Sequence, residues 1–107
     1  MPQLRGQDWL SGAIRAVAVQ RSLRSGEVLF RSGTRTVGLF EVVKGKLRLV
    51  RVDRSGREAI LQVAVPGDTL AEASLFSPTY NCDAIATTDA VARLYPKTAL
   101  LAQLVSK

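Results

Sequence analysis

The sequence predicts a mainly β fold, a double-sheet β-roll or jelly roll of about eight short antiparallel strands flanked by short helices. Glycine turns recur every 7 to 12 residues, at Gly26, Gly33, Gly45, Gly56 and Gly67. β-branched or alternating apolar segments fill the intervals, which is the spacing of short strands joined by tight turns. The length of 107 residues accommodates one domain. An α+β chain with an all-β core is therefore expected.

The first element is a helical segment over residues 1–17, and the β-roll with its C-terminal helix follows over 18–107. Asp8 is placed to cap a helix that runs to about Ala18. The helix has one apolar side, formed by Trp9, Leu10, Ile14 and Val17.

Two hairpins are predicted in the middle of the chain. Residues 37–43 and 46–52 form the first, joined at Lys44 and Gly45, because Leu47 and Leu49 alternate there with Lys46 and Arg48. The second turns at residues 53–56 and returns along 58–65.

Proline and glycine at 66–67 end that strand, and the small residues over 70–76 predict one short helical turn. Short strands resume over 82–95 with a turn at Asp89, and Pro96 opens a helix over Lys97–Val105. The predicted interior consists of Phe30, Leu39 or Phe40, Val42, Leu47, Leu49, Ile60, Val63, Leu75, Ile85 and Leu94. Lys46, Arg48 and Arg54 are predicted outside.

Composition excludes several kinds of chemistry. The chain contains no histidine, so we expect no catalytic triad, no metal site and no enzymatic activity. A single cysteine, Cys82, cannot form an intramolecular disulfide. No apolar run approaches the roughly 20 residues that cross a bilayer, and the N-terminus does not resemble a signal peptide. We expect a cytoplasmic protein without membrane contact.

Positive charge is concentrated in the first half. Net charge is +6, with +8 in residues 1–57 and −2 in residues 58–107. Such a basic half is able to face nucleic acid through weak, salt-dependent contacts. The alternative is that these arginines point into solvent from strands and turns. They occur singly along the sequence, and no aromatic residues lie between them to stack on bases.

Four segments carry a family resemblance: SGEVLF from Ser25, VVKGKLRL from Val42, GRE from Gly56 and PGDTLAE from Pro66. Together they resemble the cyclic-nucleotide-binding domain, in particular the sensor half of Crp/Fnr-type bacterial transcription regulators. The resemblance covers roughly residues 18–106. It implies a jelly roll that binds a small effector, either cyclic AMP (cAMP), cyclic GMP (cGMP) or another small molecule.

The resemblance also implies a ligand site along the segment that follows the Gly67-Asp68 turn. Its residues would be Gly67, Asp68, Leu70, Ala71, Glu72, Ala73, Ser74, Asn81, Cys82 and Asp83. In the family a glutamate binds the ribose hydroxyl, and Glu72 stands at that distance from the turn. Backbone N–H groups near Ser74 and Leu75 would meet an anionic group.

This chain departs from the family pattern at two positions. Ala71 replaces the usual glycine, and the phosphate-pairing arginine is missing, since Asn81 or Cys82 stands there. We therefore expect cAMP to bind no tighter than high micromolar, and a neutral or differently charged effector is equally eligible. Two alternatives stay open. Glu72 is either a ligand residue or a solvated carboxylate, and Arg48, Arg51 and Arg57 either supply a phosphate partner or are exposed.

Two functions follow from the residues. The first is an effector-sensing domain of a Crp/Fnr-type regulator, and the alternative is a ligand-free structural or protein-interaction domain on the same fold. DNA recognition is expected only through a helix-turn-helix domain that is absent from these 107 residues. Without the long dimerisation helix of such regulators, this chain is expected to be a monomer or weak dimer.

Overall fold

The computed structural model describes residues 12–105, which form two four-stranded antiparallel sheets with short helices. The strands are β1 (Val19–Leu23), β2 (Val28–Phe30), β3 (Gly38–Lys44), β4 (Leu47–Val52), β5 (Glu58–Ala64), β6 (Thr69–Leu70), β7 (Asp83–Ala86) and β8 (Ala90–Pro96). The helices are α1 (Gly12–Ala16), a 3₁₀ helix (Glu72–Phe76) and α2 (Lys97–Val105). The predicted mainly β double-sheet fold is confirmed, as are the short helical turn and the final helix.

The strands are arranged in the order β1-β8-β3-β6 in sheet A and β2-β7-β4-β5 in sheet B. Among the described strands, only β4 and β5 are neighbours both in sequence and in a sheet. Their turn is held by Asp53, whose Oδ1 accepts hydrogen bonds from the backbone N–H groups of Ser55 and Arg57, both at 2.9 Å. The second predicted hairpin is therefore confirmed.

The first predicted hairpin is wrong, because β3 and β4 belong to different sheets. β3 pairs with β6 and β8, whereas β4 pairs with β5 and β7. The chain crosses between the layers at Gly45, which has a φ of +77°. A Cβ on Gly45 would lie 2.2 Å from the carbonyl oxygen of Asp89. Alternation identified both strands correctly, but alternation does not specify which strand is the partner.

The main core lies between the two sheets. Its larger members are Leu23, Leu29, Phe30, Phe40, Val42, Leu47, Leu49, Leu70 and Tyr80. Phe30 stacks on Tyr80 with 4.0 Å between ring centroids. Most of the predicted interior residues are buried, including Leu39 together with Phe40, and Leu75 and Ile85. Lys46 and Arg54 are exposed as predicted, while the Arg48 side chain is only 24% exposed because it pairs with Glu58.

Four apolar residues are more exposed than the sequence predicts. Ile60 and Val63 were predicted inside, yet they are 61% and 50% exposed. Both lie on β5, which is an edge strand of sheet B. The sequence of an edge strand shows the same apolar pattern as that of a central strand, so the pattern does not reveal which strand is left exposed. Val17 is 50% exposed, just after α1 ends. Leu94 is only partly buried, although it packs against the main core.

A second core covers the other face of sheet A. Ile14 of α1, Leu75 of the 3₁₀ helix and Leu100 of α2 pack with Leu39 and Tyr95. Leu39 and Tyr95 are opposite one another on β3 and β8, so they share a face. The three helices thus cover one side of sheet A while sheet B covers the other. The predicted helix cap at Asp8 and the side chains of Trp9 and Leu10 lie outside the described residues.

Candidate functional site

The predicted site begins at a turn that is fixed to β3. The N–H of Gly67 donates to the carbonyl of Val42, and the N–H of Val42 donates to the carbonyl of Asp68, both at 2.9 Å. The Asp68 carboxylate in turn accepts the N–H of Val65 at 2.9 Å. The start of the predicted site is therefore rigidly attached to the centre of sheet A.

Ala71 follows β6 in a left-handed conformation. Its φ is 72°, and it is the one residue other than glycine among those described with a positive φ. An L-residue costs about 1–2 kcal/mol in this conformation. Ala71 packs against the main core beside the fully buried Leu70. The backbone at residue 71 thus keeps a shape that glycine adopts freely, although the residue is alanine.

The next four residues consist of an exposed pair followed by a buried pair. Glu72 and Ala73 are exposed, whereas Ser74 and Leu75 are buried. The Thr69 hydroxyl donates a hydrogen bond to Oε1 of Glu72. The Ser74 N–H donates to the Ala71 carbonyl at 3.1 Å. In this conformation the Glu72 carboxylate, which is a predicted acceptor of the site, and the Ser74 N–H, which is a predicted donor, already have partners within the chain.

Residues 81–83 lead into β7 and have separate environments. Asn81 is exposed and Cys82 is a buried free thiol. Burial raises the pKa of the Cys82 thiol, and the positive charge of Arg51 partly opposes that rise. Asp83 is buried, and its carboxylate accepts the Ser32 N–H at 2.7 Å and the Arg31 guanidinium at 3.3 Å. Asp83 therefore fixes the segment after β2.

The three arginines suggested as phosphate partners differ in what they contact. Nε of Arg48 lies 3.1 Å from Oε1 of Glu58. Nε of Arg57 lies 4.0 Å from Oδ2 of Asp53. Arg51 pairs with Ala59 through the β4–β5 ladder, but its side chain forms neither a hydrogen bond nor an ion pair with another described residue. The structure thus separates the three, with Arg51 as the uncommitted cation.

A buried polar cluster on β3 and β8 was missed by the sequence analysis. Glu41 is 2% exposed, and its Oε1 accepts hydrogen bonds from the Tyr95 hydroxyl at 2.6 Å and from Arg93 at 3.4 Å. Glu41 also lies opposite Thr69 in the pairing of β3 with β6. The sequence does contain a sign of this cluster: Glu41 is an acidic residue within an otherwise apolar strand. A carboxylate that is buried in this way requires a buried hydrogen-bond donor.

Two open cavities lie away from the 67–76 segment. One of about 580 Å³ runs along the β4–β5 hairpin and is lined by Arg51, Val52, Asp53, Arg57, Glu58, Ala59 and Leu61. The other, of about 400 Å³, is lined by Ser22, Leu23, Arg24, Glu27, Lys44, Asp89, Ala90 and Val91. Both fall within the size range of small-molecule sites.

Neither a metal cluster nor a membrane helix is found in the part of the chain that the structure describes. Over residues 12–105, His, Cys, Asp and Glu form no group of three or more with the arrangement of a metal site. Within the same range, no helix has both the length and the apolar character needed to cross a bilayer.

Comparisons with known proteins agree on one family. The model of the cyclic nucleotide-binding domain matches residues 20–107. The sensor domain of the transcriptional regulator DNR from Pseudomonas aeruginosa is 28% identical with a TM-score of 0.82, over 86% of this chain and 63% of that one. The N-terminal domain of a transcriptional regulator from Streptomyces coelicolor is 28% identical with a TM-score of 0.77, over 94% of this chain and 73% of that one.

Full regulators match over a smaller share of their length. FixK2 from Bradyrhizobium japonicum is 25% identical with a TM-score of 0.79, and the match covers 85% of this chain and 45% of FixK2. The chain thus spans about half the length of the full regulators that it matches. No curated protein sequence matches it significantly.

Proposed function

Because this chain belongs to the cyclic nucleotide-binding domain family, we propose that it is the effector-sensing domain of a Crp/Fnr-type transcription regulator. The domain would bind a small effector in the cytoplasm, without catalysis, and would bias a partner domain that recognises DNA. The effector would contact the segment from Gly67 to Phe76 and the start of β7, as the sequence analysis predicts. The similarity to regulator sensor domains supports this role.

The observation that carries the proposal is the backbone of Ala71. A left-handed alanine costs stability, and strained residues of this kind concentrate at ligand sites and switches. Ala71 lies between a turn anchored to β3 and a helix whose Leu75 packs in the second core. A ligand that contacts this segment would therefore act on both sheet A and the helices that cover it.

Glu72 is the residue best suited to select the effector. It is exposed, and its carboxylate already accepts a hydrogen bond from the Thr69 hydroxyl. A ligand hydroxyl would form a bond of the same chemical type by displacing Thr69. We propose that Glu72 exchanges the Thr69 hydroxyl for a hydroxyl of the effector.

A specific observation favours the alternative, a protein-interaction domain on the same fold. The Thr69–Glu72 bond and the Ser74–Ala71 bond close the segment on itself, so its polar groups need no ligand. β5 meanwhile exposes Ile60, Leu61 and Val63, each at least half exposed. Exposed apolar residues that are adjacent in the structure are typical of surfaces that contact other proteins.

Ligand-dependent thermal unfolding separates the two functions. An effector at a hundredfold excess over its dissociation constant stabilises the native state by about 2.7 kcal/mol. For a domain of this size that raises the unfolding midpoint by roughly 10 °C. The ligands to test are cAMP, cGMP, cyclic di-GMP and small neutral nucleosides. A midpoint unchanged by all of them would refute effector binding and favour the interaction domain.

The role of Glu72 is tested in the same assay with Glu72→Gln. Loss of the ligand-induced shift, with the midpoint of the free protein unchanged, would support contact between Glu72 and the effector. Glu27→Gln is a matched control, because it removes the same charge from an exposed glutamate that also accepts one hydrogen bond within the chain, from the Arg24 N–H at 2.6 Å. Equal shifts in both variants would contradict the role assigned to Glu72.

A further inference from the structure

A line of polar side chains crosses all four strands of sheet A. Gln20 of β1 is opposite Arg93 of β8, and Arg93 is opposite Glu41 of β3. Glu41 is in turn opposite Thr69 of β6. Residues directly opposite in an antiparallel pair lie on the same face. Each strand of the sheet therefore contributes one residue to a polar row, formed by Gln20, Arg93, Glu41 and Thr69.

The polar row lies on the face of sheet A that the helices cover. Leu39 and Tyr95 pack on that face with the second core. Glu41 comes two residues after Leu39, and Arg93 comes two residues before Tyr95, so both have the same orientation as those core residues. The polar row thus shares its face with the 3₁₀ helix that begins at Glu72.

Thr69 stands between two carboxylates at the end of the polar row. Its hydroxyl donates a hydrogen bond to Oε1 of Glu72, while its partner across the strands is Glu41. The Cβ atoms of directly opposite residues are roughly 4.5–5.5 Å apart, so a rotated Thr69 hydroxyl can reach the Glu41 carboxylate. A threonine hydroxyl has one proton to donate. Thr69 therefore serves one of the two carboxylates at a time.

The Glu41 carboxylate has capacity for a further donor. The Tyr95 hydroxyl and Arg93 both donate to its Oε1, and Oε2 accepts no hydrogen bond from the residues that the structure describes. An ionised carboxylate has about four acceptor sites, and each donor offsets part of the cost of burying its charge. Moving the Thr69 hydroxyl from Glu72 to Glu41 exchanges one carboxylate bond for another.

We propose that the Thr69 hydroxyl is a two-position switch that reports effector binding to sheet A. In the free protein it is bonded to Glu72. An effector hydroxyl that donates to Glu72 releases Thr69, which turns to Glu41 and weakens the hold of Glu41 on Tyr95 and Arg93 of β8. The inference rests on the proposed function, in which the effector takes the place of Thr69 at Glu72.

The switch can be tested without a ligand. Glu72→Ala removes the exposed acceptor and releases the Thr69 hydroxyl, so it imitates the effector-bound state. Nuclear magnetic resonance follows the side-chain N–H of Arg93 and the ring of Tyr95. We expect both signals to shift in Glu72→Ala, and to stay in place when the same change is made in a Thr69→Val background, because valine keeps the shape but lacks the hydroxyl. Glu27→Ala is the control, since this exposed glutamate also accepts one hydrogen bond within the chain.

The outcomes separate the switch from general effects of charge. If Glu72→Ala leaves the Arg93 and Tyr95 signals unchanged, or shifts them equally with threonine and with valine at residue 69, the switch is refuted. A shift of the same size in Glu27→Ala would attribute the effect to net charge and would also refute it. Circular dichroism of each variant establishes that the fold is retained.

A second arm separates the switch from effector binding. Any of cAMP, cGMP and cyclic di-GMP that raises the unfolding midpoint should shift the Arg93 and Tyr95 signals in the wild type and leave them in place in Thr69→Val. A raised midpoint without these shifts in the wild type would overturn the switch while effector binding stands. If none of the three raises the midpoint, effector sensing fails, and Glu72→Ala still decides whether the Thr69 hydroxyl moves.

Discussion

The hydroxyl of Tyr95 donates a hydrogen bond of 2.6 Å to Oε1 of Glu41, and both residues are almost completely buried beneath the helices that cover sheet A. Arg93 approaches the same oxygen at 3.4 Å. A buried carboxylate is costly unless donors surround it. The pair therefore joins β3 to β8 through side chains as well as through the backbone ladder, and the stability of sheet A depends on it.

Replacing Tyr95 with phenylalanine should destabilise the domain. The substitution removes the donor and leaves a buried Glu41 oxygen with the weaker Arg93 contact, at a cost of about 1.5–3 kcal/mol. Urea unfolding measures this loss in the free energy of unfolding. Adding Glu41→Gln should reduce the effect of Tyr95→Phe, since a neutral acceptor depends less on the donor. Equal effects of Tyr95→Phe in both backgrounds would show that the two side chains are not coupled.

Stability should fall at alkaline pH because of the same tyrosine. Burial, followed by the hydrogen bond to Glu41, raises the pKa of Tyr95 above its usual value of 10.0. A group whose pKa is higher in the folded state stabilises the fold below its unfolded pKa. That contribution is lost as the pH rises through the folded value. Thermal unfolding above pH 10 should show the decline in the wild type, and Tyr95→Phe should lack this component.

Gly45 should tolerate alanine much less well than Gly56. Both have positive φ, but a Cβ at Gly45 would lie 2.2 Å from the Asp89 carbonyl, whereas a Cβ at Gly56 meets nothing within 4 Å. Gly56→Ala should cost only backbone strain, about 1–2 kcal/mol. Gly45→Ala adds the steric clash and should cost about 2–5 kcal/mol. Chemical denaturation of the two variants in parallel measures the difference, and equal losses would contradict close contact at the crossing.

Ala71→Gly should cost the domain less stability than Ala73→Gly. The substitution relieves a left-handed strain of about 1–2 kcal/mol at residue 71. The entropy that glycine adds to the unfolded chain offsets about 0.4–1 kcal/mol of this relief, and the loss of a methyl group packed against the main core offsets about 0.8 kcal/mol. Ala73→Gly is the control, because Ala73 is exposed in the 3₁₀ helix with negative φ, so that variant relieves no strain and should lose about 0.5–1 kcal/mol. Chemical denaturation of the two variants in parallel measures the difference, and an equal or larger loss in Ala71→Gly would refute the strain at residue 71.

Most helices, strands and turns were predicted correctly because the residues that specify each of them are close together in the sequence. The turn at residues 53–56, the helix after Pro96 and the helical turn at 72–76 depend on residues close together in the chain. Partner choice is not local. The 37–43 and 46–52 segments were recognised as strands and then paired wrongly, because a short link serves a hairpin and a crossing between sheets equally well.

The candidate site shows the same limit. The segment around Glu72 was predicted as a ligand site from the family resemblance, and that prediction was possible because the turn, the 3₁₀ helix and the small residues are consecutive in the sequence. Arg51 was one of three equivalent arginines in the sequence. Only the carboxylates taken by Arg48 and Arg57 distinguish it. Glu41 and Tyr95 are 54 residues apart, so their bond required the folded sheet.

The position of β8 in sheet A has a consequence for synthesis on the ribosome. β8 lies between β1 and β3, so the first strand of the sheet has no partner until residues 90–96 have left the exit tunnel. During that interval β1 is without a partner strand and β3 can pair only with β6, while the β4–β5 hairpin can already form from adjacent residues. Folding should therefore begin at the hairpin and finish with insertion of β8, a slow step because it closes long loops. Nascent chains stalled before Ala90 should be open to proteolysis, whereas chains extended past the end of β8 should resist it.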